Sequence, residues 1–125
     1  MKKYIGFVAL LLSGCAYHNP LDEADFRFQT LTVPPYVLSS WYRIDQQGKP
    51  LTVYVEKERM DTEVRDLVVQ DKSENVAYVA RPCQYFQTPV CETELSKKQS
   101  DEVVQKGILQ LQKKAATKKV IVKGF

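Results

Sequence analysis

Two short, unbroken apolar runs constrain this chain most. Ala77-Tyr78-Val79-Ala80 and Val120-Ile121-Val122 bracket a stretch whose apolar residues recur at helical spacing. Strands that are apolar without alternation belong to parallel sheets covered on both faces. Between the runs, Val104, Ile108, Leu111 and Ala115 fall on one side of a helix. Ser96 or Ser100 caps its start, and Ser96 has Gln99 three residues later, as a capping box would. Lys113, Lys114, Lys118 and Lys119 crowd its end, where cations suit the helix dipole. A basic binding patch is the functional alternative for these lysines. Strand, loop, helix and strand together predict a parallel, right-handed unit and an α/β fold class.

The chain ahead of this unit adds further elements. Phe26, Phe28, Leu31 and Val33 alternate as a docking segment or first strand would, and Pro34-Pro35 ends it. Val37 to Ile44 and Leu51 to Val55 read as two strands. The Gly-containing cluster Gln46 to Pro50 between them predicts an antiparallel hairpin. Met60, Val64, Leu67 and Val68 predict a short helix over Arg59 to Val69. Arg81 to Leu95 reads as a loop. The predicted architecture is an antiparallel hairpin leading into parallel strands with crossover helices.

The first fifteen residues carry a different message. Lys2 and Lys3 precede an apolar stretch, Tyr4 to Leu12, within the roughly 7–15 residues of a secretory h-region. A membrane-spanning helix needs about 20 such residues. Small Ser13 and Gly14 then lead to a cysteine. Leu12-Ser13-Gly14-Cys15 resembles the lipobox of bacterial lipoproteins, in which the cysteine thiol receives a diacylglycerol and its freed amine a further acyl chain. This predicts a lipoprotein signal peptide over 1–14, lipid attachment at Cys15, a polar tether over 15–25 and one domain over 26–125. Ala16, which is not aspartate, favours the outer membrane of a host that has one.

Removing 1–14 takes away two lysines. Sixteen basic side chains then face 15 acidic ones, a net charge near +1 in place of +3. No global field argues for nucleic acid. The remaining 111 residues suffice for one modest domain. With Cys15 assigned to lipid, Cys83 and Cys91 remain. An even pair in an exported protein predicts a disulfide, worth about 2–3 kcal/mol for so short a loop. A metal site is the alternative, with His18 as the only imidazole.

Several segments occur in an order that resembles one family. They are Val33-Pro34-Pro35-Tyr36, Trp41-Tyr42-Arg43-Ile44, Gly48-Lys49-Pro50-Leu51-Thr52-Val53-Tyr54-Val55-Glu56, and Val76-Ala77-Tyr78-Val79-Ala80-Arg81-Pro82-Cys83-Gln84-Tyr85. From about Phe28 to its last residue the chain resembles bacterial lipoproteins with an α/β-hydrolase fold. A second cysteine a few residues after the first, here Cys91, belongs to that pattern. The resemblance implies that the strand ending at Gly124 runs into the nucleophile elbow, a strained strand-to-helix turn that lifts a serine above the sheet. Gly124-Phe125 look like the first two elbow residues, with the serine, acid and histidine of the triad expected beyond Phe125.

The chain departs from the family in two further ways, a shortened stretch between Glu56 and Val76 and the segment that follows Val55. Glu56-Lys57-Glu58-Arg59 stands where a Gly-rich oxyanion loop is expected, so close backbone approach to an oxyanion is not predicted there. His18, the usual kind of base for a serine, sits in the tether. Ser39 and Ser40 fall in a strand, and Ser96 and Ser100 have capping roles. No Gly-rich phosphate loop or metal-ligand cluster is evident, and no cofactor is expected. Tyr36, Trp41, Tyr42, Tyr54, Tyr78 and Tyr85 read as packing residues rather than a ligand wall. Three functions follow: a truncated or degenerate, catalytically inactive hydrolase-like lipoprotein; the amino-terminal piece of a longer serine esterase or lipase; or a small non-enzymatic envelope protein. The expected partners are the membrane, through the lipid, and a protein along an exposed sheet edge.

Overall fold

The computed structural model describes residues 21, 24–56, 62–83 and 95–124. It contains β1 (Arg27–Val33), β2 (Tyr36–Ile44), β3 (Leu51–Val55), α1 (Thr62–Gln70), β4 (Asn75–Val79), α2 (Lys97–Ala115) and β5 (Val120–Lys123). The strands form one mixed sheet in the order β1-β2-β4-β3-β5. The fold class is α/β, as the apolar runs predict.

The predicted hairpin is not the one that forms. β2 and β3 are consecutive, yet β4 lies between them. The antiparallel hairpin is instead β1–β2, closed at Val33↔Tyr36 by a cis Pro34-Pro35 bond. β2 pairs antiparallel with β4 on its other side. β3 runs parallel to both β4 and β5. The physical reason lies in the faces of β3 and β4, both buried along their whole length. Strands of this kind need neighbours and cover on both sides. Asn75, buried at the start of β4, holds the 46–49 loop in place. Its amide donates to the carbonyls of Gln46 (2.8 Å) and Lys49 (2.9 Å) and accepts from the Gln46 N–H (3.1 Å). The loop thus carries the chain over the amino end of β4 to its far side.

The two crossovers move in opposite directions, β3 to β4 and then β4 back past β3 to β5. A fixed right-handed crossover puts their helices on opposite faces, and α1 and α2 lie there. The α2 face buries Leu31, Val33, Leu38, Leu51, Val53, Val55, Ala77 and Val79 against Val104, Ile108, Leu111 and Ala115. The α1 face buries Leu21, Phe26, Trp41, Tyr54, Val76 and Tyr78 with Val68. Gly107 lets α2 approach the sheet. A Cβ there would lie 2.8 Å from Leu38 Cδ1 and 3.2 Å from Leu31 Cδ1.

The cap of α2 forms as the sequence predicts. The Ser96 hydroxyl accepts from Gln99 N–H (3.1 Å), and the Gln99 side chain accepts from Ser96 N–H (3.0 Å). Arg81, just beyond β4, donates to Ser100 Oγ (3.1 Å) and pairs with Asp101 (2.6 Å). Lys113 and Lys114 occupy the last turn of α2. The Lys114 ammonium also stands 4.9 Å from the Tyr42 ring centre.

Candidate functional site

The helices that follow β3 and β4, α1 and α2, lie on opposite faces of the sheet. In open α/β sheets that divergence opens a crevice at the carboxyl ends of the strands, where ligands bind. Here that end gathers Tyr54, Val55 and Glu56 of β3 and its exit, Tyr78 and Val79 of β4, and Lys123 and Gly124 of β5. The registers Tyr54↔Tyr78, Val55↔Val79 and Tyr54↔Lys123 set them side by side.

Gly124 stands at φ +98°, and a Cβ on it would lie 2.5 Å from the Val55 carbonyl oxygen. Both the left-handed backbone and the close approach require glycine. The end of β5 therefore lies close against the end of β3. On the other side of β3, the Glu56 N–H donates to the Val79 carbonyl (2.9 Å). That amide already has a partner and does not point into open space.

The Glu56 side chain is fully buried and accepts a hydrogen bond from the Tyr78 hydroxyl. Tyr78 is itself buried, with the equally buried Arg65 of α1 5.9 Å above its ring centre. Trp41 lies 5.7 Å from the Tyr78 ring, and Phe28 stacks edge-on upon Trp41 at 5.1 Å. A carboxyl deep in an apolar face needs such polar company, because an unsatisfied one is strongly disfavoured. Glu56 therefore ties the exit of β3 to β4.

A second polar group lies nearer the surface. The Tyr54 hydroxyl donates to Asp71, after α1, at 2.6 Å. The Lys123 ammonium stands 5.3 Å from the Tyr54 ring centre. Burial, then the hydrogen bond to Asp71 and its negative charge, push the Tyr54 phenol up to about 12. Burial by itself would raise the Asp71 carboxyl. Hydrogen bonds from Ser73 and Tyr54 and the charge of Lys123 outweigh it and hold Asp71 below the usual carboxylate range. Tyr54, Val55, Val64, Leu67, Lys123 and Gly124 line a cavity of about 170 Å³ beside this group.

A larger cavity of about 600 Å³ involves the other end of β2, with Arg27, Arg43, Asp45, Asp71 and Lys72 in its wall. Its central cation is occupied. Arg43 bonds Asp45 (3.1 Å) and the carbonyls of Asp71 (3.2 Å) and Ser73 (2.7 Å), and covers the Phe26 ring. These contacts assign Arg43 to holding β2 against the segment after α1.

Of the residues singled out from sequence, the fold brings Glu56 and Gly124 to the two flanks of β3. Lys57, Glu58, Arg59 and Phe125 lie outside the described residues, as do Cys15, His18 and Cys91. Cys83 is disulfide-bonded, and the chain's other two cysteines both lie outside the described residues. Ser40 donates to the Gln29 carbonyl (2.6 Å), a bond across the β1–β2 pair. Ser39 is buried within β2. No group of three or more His, Cys, Asp or Glu side chains that could hold a metal occurs among the described residues.

The pairs Tyr78–Glu56 and Tyr54–Asp71 were not legible in the sequence. Their partners are 22 and 17 residues apart, and only strand order joins them. Trp41, Tyr54 and Tyr78 pack as expected of aromatic residues in strands, while Tyr54 and Tyr78 also orient carboxyl groups. No family model, curated protein or solved structure matches this chain.

Proposed function

We propose that this chain is a lipid-anchored lipoprotein of the bacterial envelope, attached through Cys15, whose folded part is the amino-terminal portion of an α/β-hydrolase-like sheet. Residues 1–125 alone do not turn over esters in this reading. One observation carries it. Gly124 leaves β5 with a left-handed backbone, so close to the end of β3 that a Cβ on it would lie 2.5 Å from the Val55 carbonyl oxygen. A nucleophile elbow likewise leaves the end of its strand through a backbone conformation that favours glycine. The bond from Glu56 N–H to Val79 supports the silent half of the reading, since that amide does not double as an oxyanion donor. The motif Leu12-Ser13-Gly14-Cys15 supports the anchor.

The same feature favours a second reading, in which these residues begin a longer serine esterase. Sequencing the DNA after the Phe125 codon separates the two. A Ser-Gly-Gly-like continuation in any frame, followed by an acid and a histidine, supports the longer enzyme. Mass spectrometry of membrane-extracted protein tests the anchor: a diacylglycerol on the Cys15 thiol is expected, and an unmodified thiol refutes it. Short-chain p-nitrophenyl esters test the silence of residues 1–125. Turnover abolished by replacing Ser39, Ser40, Ser96 or Ser100 singly would overturn it.

A further inference from the structure

β5 is the outermost strand of the described sheet. Leu51 N–H donates to the Lys119 carbonyl at 3.0 Å, with Leu51 in register with Val120. In a parallel ladder this turns the peptide groups of Lys119, Ile121 and Lys123 toward β3. The N–H and C=O groups of Val120 and Val122 then point away from the sheet. Val122 and Ile121 are 37% and 40% exposed, although strands of this apolar type are normally covered on both faces. Leu67, 52% exposed, belongs to α1 and so to the face that Ile121 shares. The 170 Å³ cavity lies on that face, next to Lys123 and Gly124, with room for one large apolar side chain.

Charge decides what can pair there. Lys118, Lys119 and Lys123 flank the apolar centre, and all three are exposed. In an antiparallel pairing of two β5 strands centred on Ile121, Lys119 of each copy would face Lys123 of the other. Like charges directly opposite oppose pairing. In that register the lysines oppose a second copy, as charged edges do, while they attract a strand of opposite charge.

We propose that β5 is a docking edge for an extended protein segment with a short apolar centre and acidic flanks. The segment adds a strand to the sheet and places one apolar side chain in the cavity beside Lys123. Backbone bonds supply affinity in this mode of recognition, and the side-chain pocket supplies specificity. The proposal requires neither the lipid nor a hydrolase activity, so its failure would leave the reading above untouched.

Fluorescence anisotropy with the full chain in detergent tests it. The probes are labelled peptides Asp-Glu-Val-Leu-Val-Glu-Asp and Lys-Lys-Val-Leu-Val-Lys-Lys. The acidic peptide is expected to bind at least about tenfold more tightly, and less so at high salt. Val122→Pro removes an outward N–H that β3 does not use, and should weaken binding by at least about tenfold. Leu67→Glu, at an exposed position, should do the same without disturbing the sheet. Lys118→Glu with Lys119→Glu should reverse the preference between peptides. Equal binding of both peptides, or binding indifferent to both Val122→Pro and Leu67→Glu, would overturn the proposal. So would a wild-type dimer in light scattering that Val122→Pro dissociates, because the occupant would then be a second copy.

Discussion

Gly107→Ala sets two effects of known size against each other. In an exposed helix the change stabilises by about 0.8–1 kcal/mol, since alanine is the better helix former. Here the added methyl would lie 2.8 Å from Leu38 Cδ1 and 3.2 Å from Leu31 Cδ1. Both leucines are fully buried between α2 and the sheet, so neither can swing into solvent. Ordinary carbon contacts lie near 3.5–4.0 Å, which demands a displacement of nearly 1 Å at Leu38. Overpacking of this kind costs about 1–3 kcal/mol. The net expectation is a loss of about 1 kcal/mol. For a domain of this size that lowers Tm by about 4–8 °C. Thermal unfolding followed by circular dichroism measures it, with Leu38→Ala and the double variant completing a cycle. Leu38→Ala alone should cost about 2–5 kcal/mol. The double variant should be more stable than the sum of the two, by about 1 kcal/mol or more, because the new methyl enters the space vacated. A rise in Tm for Gly107→Ala, or strict additivity, would refute the close seating of α2 on Leu31 and Leu38.

Other expectations concern the polar contacts. Asn75→Ala removes three hydrogen bonds that hold the 46–49 loop and should cost about 2–3 kcal/mol in denaturant unfolding. Ser96→Ala removes the cap of α2 and should cost about 1 kcal/mol in the same assay. Asp71 and Asp101 both titrate below the usual carboxylate range when folded. Their contribution is present above the unfolded value of about 3.9 and is lost as pH falls through the lower folded values. Asp71→Asn should flatten part of the acid limb of a stability–pH profile, and an unchanged limb would refute that assignment. Tyr54 behaves in the opposite sense. Its folded pKa of about 12 exceeds the ordinary phenol value of about 10, so its contribution is complete below that value and is lost as pH rises toward 12. Tyr54→Phe should remove that alkaline loss, read by ultraviolet difference titration alongside unfolding.

What the residues disclosed depended on the range of the interaction. The capping box at Ser96, the helix carrying Val104, Ile108, Leu111 and Ala115, and the apolar runs of β4 and β5 are local patterns. Backbone geometry repeats over a few residues, so a few residues reveal them. For Gly124 the fold supplies a reason that the residues alone do not contain: a Cβ there would lie 2.5 Å from the Val55 carbonyl oxygen. The β2–β3 hairpin failed because a Gly-containing loop only permits a hairpin. Which strand lies beside which depends on burying whole faces, and β4, arriving twenty residues later, competes successfully for β2. From that single decision follow the contacts that no local pattern contains: Tyr78 on Glu56, Tyr54 on Asp71, and Lys123 over Tyr54. The strands, the two helices and the α/β class follow from such local patterns. The strand order, the company of the buried carboxyl and the outermost place of β5 among the described strands come from tertiary packing, because each is a property of faces brought together across the chain.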